Sequence, residues 1–237
     1  MPNHANLPEA LARLLAQDMT LSNALAAFAA HLEQANPTVA RANESLVRRL
    51  RAAGTGVNAP DIGEILPEFM LTDETGRLRM LDEFLDNGPV VVSIIRGHWC
   101  PFCVIEIDAL TKAADEIARA GGSAIVIMPE RQPYARVVRE RGAPFPILSD
   151  IDCAYSLQLG LCFYIGDELV RIFNGSGNRL PVFQGNEFWF LPVPATFVVD
   201  RRRRVVERMV DPDFRFNRLA IDRIVAAVER AATRGAE

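Results

Sequence analysis

Cys100 and Cys103 are two thiols separated by Pro101 and Phe102. A pair at this spacing does one of two kinds of chemistry. It exchanges electrons by opening and closing a disulfide, or it supplies half of a zinc site. Zinc would need two more ligands, and no second CxxC and no HxxxH occurs in the chain. The dithiol reading is therefore preferred, with no metal and no cofactor expected.

The elements around the pair favour the same chemistry. The run Val90, Val91, Val92, Ser93, Ile94, Ile95 has the β-branched character of a strand buried on both faces. After it come Arg96, Gly97, His98 and Trp99, where the chain turns. Ile105, Ala109, Ala113 and Ile117 then recur at helical spacing, and Gly121-Gly122 is a stop. Pro101 fits the first position of that helix, where its missing N–H costs nothing. Cys100 then falls at the N-cap and Cys103 at the third helical residue. Free N–H groups and the positive end of the helix dipole face both sulfurs, and a lowered thiol pKa is expected.

The rest of the chain frames this strand and helix. Residues 1–53 read as a helical extension. Leu7, Leu11, Leu14 and Leu15 share one face, Leu21, Leu25, Phe28 and Leu32 another, and Asn36-Pro37 starts a third helix. The extension carries no chemistry of its own and packs on the domain or on a second subunit, as in a homodimer. Residues 54–62 have linker composition. Residues 63–237 form the remaining domain. Phe69–Thr72 and Ser123–Met128 read as strands, Pro133–Arg141 as a helix, and Pro146–Asp150 as a strand edge entering another helix. Alternation of this kind indicates an α/β fold with a central mixed sheet flanked by helices. Leu161–Ile165 and Leu169–Phe173 flank Gly166-Asp167 as a hairpin. Ala195–Val199 and Arg204–Met209 flank Asp200–Arg203 as another. A last helix is expected from near Asn217.

Composition limits the alternatives. With 237 residues, a net charge of −4 and 49 % hydrophobic residues, the chain reads as a soluble protein without nucleic acid as a main partner. No apolar run approaches a membrane span, and the N-terminal stretch lacks a basic segment followed by an apolar one. The expected location is cytoplasmic, where a CxxC is more plausibly catalytic than a structural staple.

Trp99-Cys100-Pro101-Phe102-Cys103 after a buried strand resembles the thioredoxin superfamily. Gly63–Phe69, with its G-x-x-x-P-x-F pattern, and Leu148-Ser149-Asp150 resemble its peroxiredoxin branch, the alkyl hydroperoxide reductase and thiol-specific antioxidant group. The resemblance covers roughly residues 60 to 230 and implies a thioredoxin-like fold. It implies a cis peptide at Val193–Pro194, with the Val193 backbone turned toward the sulfurs. It implies a hydroperoxide or a disulfide as substrate and a thioredoxin- or glutathione-type reductant. The family's C-x-x-E matches Cys103–Glu106, which makes Cys103 the peroxidatic candidate. The family's threonine, proline and arginine positions then fall on Cys100, Arg96 and Pro194, three departures from the pattern. Arg96 is a cation that could stand in for the missing donors. Trp99 sits where thioredoxins keep a tryptophan, and Glu106 is placed to shape a proton path. The resemblance favours hydroperoxide reduction, while disulfide exchange at an exposed Cys100 and non-enzymatic redox sensing stay open.

Other residues carry less. His98 reads as a solvated turn histidine. Cys153 and Cys162 read as buried structural thiols that stay free on oxidation. Residues 174–190 read as a long loop, in which Phe183, Phe188, Trp189 and Phe190 either wall a cleft beside Pro194 or pack as core.

Overall fold

The computed structural model describes residues 7–177 and 179–234. Three helices come first: α1 (Leu7–Leu15), α2 (Leu21–Ala35) and α3 (Pro37–Ala52). Thr20 caps α2 and Asn36 caps α3, each accepting a backbone N–H three residues on. Strands β1 (Met70–Asp73) and β2 (Leu78–Met80), helix α4 (Leu81–Leu85) and strand β3 (Val90–Ile94) follow. Next are α5 (Pro101–Lys112), α6 (Ala114–Arg119), β4 (Ser123–Met128), α7 (Gln132–Glu140) and β5 (Ile147–Ser149). A 3-10 turn (Ile151–Cys153) leads into α8 (Ala154–Gln158) and β6 (Cys162–Tyr164). The chain ends with α9 (Asp167–Ser176), α10 (Leu180–Gln184), β7 (Phe190–Pro192), β8 (Ala195–Val199), β9 (Val205–Val210) and α11 (Ile221–Arg234).

Seven strands form one sheet in the order β2-β1-β5-β4-β3-β8-β9. Strands β3, β4 and β5 are parallel, and β1, β8 and β9 run antiparallel to their neighbours. The sheet is therefore mixed, as expected. All five residues of β3 are buried, which is why the sequence there is continuously apolar. The last residue of β3, Ile94, pairs with Ile127 on one side and Ala195 on the other. This register fixes the point where the chain leaves the sheet toward the CxxC.

The N-terminal helices share an apolar core with the sheet domain. Phe28 of α2 meets Phe102 of α5 edge-on at 5.3 Å and is 1 % exposed. Burial of such a ring contributes about 1.5–3 kcal/mol. Polar ties reinforce the contact: Lys112 Nζ donates to the Leu15 carbonyl, Arg49 to the Tyr164 carbonyl, and Arg215 pairs with Glu44 at 2.7 Å.

Three local expectations are corrected. Gly166-Asp167 is not a hairpin turn. Gly166 caps α9, Asp167 and Glu168 occupy its first turn, and Leu169 and Phe173 are buried at an i, i+4 spacing. The strand partner of β6 is β7, and these two form a separate ribbon. Residues 174–190 are not an open loop, since they contain the end of α9, all of α10 and the start of β7. The last helix begins at Ile221, later than Asn217. The hairpin joining β8 to β9 is present as expected.

Candidate functional site

Cys100 is the N-cap of α5 and Pro101 its first residue. The Cys100 carbonyl accepts N–H bonds from both Cys103 and Val104 at 3.0 Å. The two cysteines are thus held across one helical turn. Cys100 is 1 % exposed and Cys103 fully buried. The Cys100 and Cys103 thiols interact directly, and the Arg96 backbone N–H donates to the Cys103 sulfur at 3.4 Å.

These contacts separate the two thiols chemically. Burial alone would raise Cys100. The Cys103 thiol, the Arg96 guanidinium and the Cys103 N–H outweigh burial and bring it down to about 6. Cys103 moves the opposite way, because burial and the proton it shares with Cys100 both hold it protonated.

Two buried arginines flank the pair. The Arg96 guanidinium lies 3.8 Å over the Phe214 ring and 5.3 Å from the Trp99 ring. Arg218, 6 % exposed, donates from Nε to Glu106 Oε2 at 2.5 Å. Burial disfavours the Arg218 charge, but Glu106 and the two sulfurs hold it. The other Glu106 oxygen accepts hydroxyl bonds from Ser93 and Thr196. Arg96 Nε and Arg218 Nη2 are buried and have no hydrogen-bond partner among the described residues. Buried donors without acceptors are uncommon, and here they lie beside a thiol pair.

Cys100 borders a cavity of about 210 Å³. Its walls come from α2 (Phe28, Leu32), α3 (Val39, Asn43), α9 (Ile172, Phe173) and Phe214, with Arg96, Trp99 and Phe102 around the sulfur. Cys103 does not line it. The helical extension thus supplies walls of the site, although its sequence carries no chemical motif. The arrangement suits a thiolate that meets a small, largely apolar electrophile.

Gly97 makes the turn into the site. Its φ is +142°, and a Cβ there would meet Trp99 Nε1 at 2.6 Å and Glu130 Cδ at 2.8 Å. His98 is not a solvated turn residue. Its backbone N–H donates to Glu130 Oε2 at 2.8 Å, and its Nδ1 lies 2.9 Å from Glu130 Oε1. The ring stacks on Tyr134 at 5.0 Å and meets Phe183 edge-on at 4.9 Å.

The expected cis proline is absent. Every peptide bond among the described residues is trans, including Val193–Pro194. The physical reason lies in the ribbon. Val193 N–H donates to the Leu161 carbonyl at 2.8 Å and Val193 is fully buried, so its backbone is not free to receive an extended substrate. Pro194 leads directly into β8 at the sheet end from which Arg96 emerges. Phe183 packs on His98, while Phe188 and Phe190 are exposed, and neither they nor Trp189 line the Cys100 cavity. Arg218 and Glu130 have no sequence signal, since each approaches the site from far along the chain. No group of three or more metal-ligating side chains occurs among the described residues.

Comparison with known proteins accords with this architecture. Two strains of Mycobacterium tuberculosis carry a protein named "Putative peroxiredoxin", 29 % identical to this chain over 100 residues, or 42 % of it. That match spans 65 % of the relatives' length, slightly under two thirds. Among solved structures, the peroxidoxin BcpB of M. tuberculosis superposes with a TM-score of 0.56 at 23 % identity, covering 72 % of this chain and 97 % of that one. Peroxiredoxin 6 of Arenicola marina superposes with the same score at 14 % identity, covering 71 % and 72 %. These likenesses establish a thioredoxin-like fold of the peroxiredoxin type. The AhpC/TSA family model matches residues 62–208, which include the central strand, the CxxC and the turn into β8, and the chain belongs to that family.

Proposed function

We propose that the protein is a thiol peroxidase that reduces hydroperoxides at the Cys100–Cys103 dithiol. The observation that carries this reading is the small, largely apolar cavity bordered by Cys100. A small hydroperoxide fits it, and a protein disulfide does not. The trans bond at Val193–Pro194 and the occupied Val193 N–H also speak against docking an extended disulfide substrate.

Cys100 is the attacking sulfur, since it borders the cavity and has the lowered pKa. Its thiolate attacks one peroxide oxygen and the O–O bond breaks. Cys100 becomes a sulfenic acid, and the other oxygen leaves as an alcohol or water after taking a proton. Arg96 and Arg218 offer donors to the charge that develops on the leaving oxygen, the role the family gives to its threonine and arginine. Cys103 then condenses with the sulfenic acid, forming the disulfide and releasing water. Trp99 and Pro101 shape the cavity mouth and the helix start. Glu106 holds Arg218 in place.

A thioredoxin- or glutathione-type thiol returns the disulfide to the dithiol, as a reducing, cytoplasmic setting would allow. Because both sulfurs are buried, the helical cover formed by α1, α2 and α3 or the first turn of α5 has to open in that step. A homodimer through the sheet edge completes the reading. Met70, Leu78 and Met80 are exposed there on adjacent strands.

Stopped-flow oxidation of the single variants tests the proposal. Cys103→Ser is expected to undergo one fast oxidation by hydroperoxide and to stop at a Cys100 sulfenic acid. Cys100→Ser is expected to react no faster than a free thiol. If only Cys100→Ser reacts fast, the peroxidatic sulfur is Cys103, as in the family pattern. If neither variant does, the peroxidase reading is wrong.

A further inference from the structure

A second pair of thiols lies away from the CxxC. Cys153 ends the 3-10 turn and Cys162 opens β6. The sequence reads them as separate buried cysteines, yet the fold brings them together: Cys162 pairs with Pro192 of β7, β7 packs against the 3-10 turn that ends in Cys153, and the two thiols interact directly. Cys153 is fully buried and Cys162 is partly open to solvent.

The backbone that presents Cys153 is unusual. Asp152 and Cys153 have φ of 60° and 55°, two consecutive non-glycine residues in the left-handed region. Such residues persist only where the surroundings over-determine them. Here the surroundings do so. The buried Asp150 carboxylate accepts the Tyr155 N–H, the Ser156 N–H and the Ser156 hydroxyl. The Asp152 carboxylate accepts from Asn186 Nδ2 at 2.7 Å. An ordinary helical or extended residue at this point would direct the thiol elsewhere.

We propose that Cys153 and Cys162 form a second redox-active dithiol, which closes to an intrachain disulfide when hydroperoxide is present. The inference rests on the proposed peroxidase reading only for the oxidant. Cys162 is the entry point, because it is the member of the pair that is open to solvent. Its thiolate attacks the hydroperoxide, becomes a sulfenic acid and releases an alcohol or water. Cys153 then condenses with it, and a second water leaves. Two electrons pass from the sulfurs to the peroxide, and the O–O bond is the one broken.

The surroundings set the order of events. Asp150 opposes charge on both sulfurs and Asp152 opposes it on Cys153, whereas Arg96 and Arg218 favour it on Cys100. This dithiol therefore oxidises after the CxxC, under excess peroxide. The new bond would tie the 3-10 turn to β6, whose preceding residue, Leu161, holds Val193 through its carbonyl. Oxidation would thus stiffen the ribbon next to the entry into β8.

Peptide mapping of the full-length protein tests this. Reduced wild type is treated with graded hydrogen peroxide, alkylated and digested. At low peroxide only the Cys100–Cys103 link is expected. At higher peroxide a Cys153–Cys162 link appears within one chain and is reversed by dithiothreitol. The Cys100→Ser/Cys103→Ser double variant should still lose the mass of two hydrogens. Cys153→Ser should leave a Cys162 sulfenic acid that dimedone traps.

If Cys153 and Cys162 both stay fully alkylatable in excess peroxide, the second dithiol is refuted, whatever the CxxC does. If either is found linked to Cys103 or to another chain, the pairing is refuted as well. If the Cys153–Cys162 link forms while neither CxxC variant reacts fast, the second dithiol stands and the peroxidase reading falls. The wild-type map needs no substitution, so a variant that fails to fold does not block the test.

Discussion

Arg218 and Glu106 form a buried ion pair across 112 residues of sequence, with side chains 2 % and 3 % exposed and 2.5 Å between Nε and Oε2. Breaking such a pair from one side leaves a charge with no partner in a dry environment, which costs about 3–5 kcal/mol. Glu106→Gln keeps the shape and can still accept the Ser93 hydroxyl, so the charge is the principal loss. It should lower unfolding stability by about that amount. Arg218→Met should do the same. The double variant should recover most of the loss, because neither charge is then stranded. Urea unfolding of the four proteins provides the comparison. Single variants within about 1 kcal/mol of wild type would mean the pair contributes far less than its burial implies.

The two sulfurs should titrate as a unit, with one proton lost early and the other held. Cys100 falls from 9.0 to about 6, while Cys103 is pushed up. Ultraviolet thiolate absorbance should show a first step near pH 6, and the rate of peroxide oxidation should rise through the same step. Arg96→Gln removes a cation that favours the thiolate, so the step should move upward. The oxidation rate at neutral pH should fall by roughly a hundredfold, in keeping with loss of one preorganised donor. The signs for stability follow from linkage. The lowered Cys100 contributes stability that is full above pH 9 and lost as pH falls toward 6. The raised Cys103 works in the opposite direction, since its contribution is present below its unfolded value and lost at higher pH. A single step near the ordinary thiol range would contradict the asymmetry between the sulfurs.

What the sequence revealed and what it hid divide along contact range. Strand β3, the N-cap at Cys100 and Pro101 at the first helical position are local features, written in consecutive residues. They were legible because a β-branched run and a proline each constrain their own backbone. Arg218, Glu130, Phe28 and Val39 reach the site only through tertiary packing, and nothing in their immediate sequence marks them. Leu169 and Phe173 could be read as one face of a strand or of a helix, and Gly166 decided in favour of the helix by acting as its cap. The Val193–Pro194 expectation failed for another reason. It was carried over from a superfamily whose substrate site uses that backbone, whereas here the Leu161 carbonyl has taken the Val193 N–H.

The cavity beside Cys100 makes a prediction about substrate size. Val39 of α3 lines it and is only partly buried, so a larger side chain can fill the space without being forced into the core. Phe28 would be a poorer probe, because its removal would break the contact with Phe102 at a cost of about 3–5 kcal/mol. Val39→Trp should narrow the cavity from the side of the helical cover, leaving Arg96 and both cysteines untouched. Hydrogen peroxide needs little room, and its oxidation rate should change by less than about threefold, or ~0.7 kcal/mol. Cumene hydroperoxide carries a bulky apolar group, and its rate should fall by roughly tenfold, equivalent to ~1.4 kcal/mol of lost transition-state stabilisation. The informative quantity is the ratio of the two rates on the same preparation. A general loss of fold lowers both together and leaves the ratio unchanged. If that ratio is unchanged while the variant remains folded, the peroxide does not enter through the cavity walled by α2, α3 and α9.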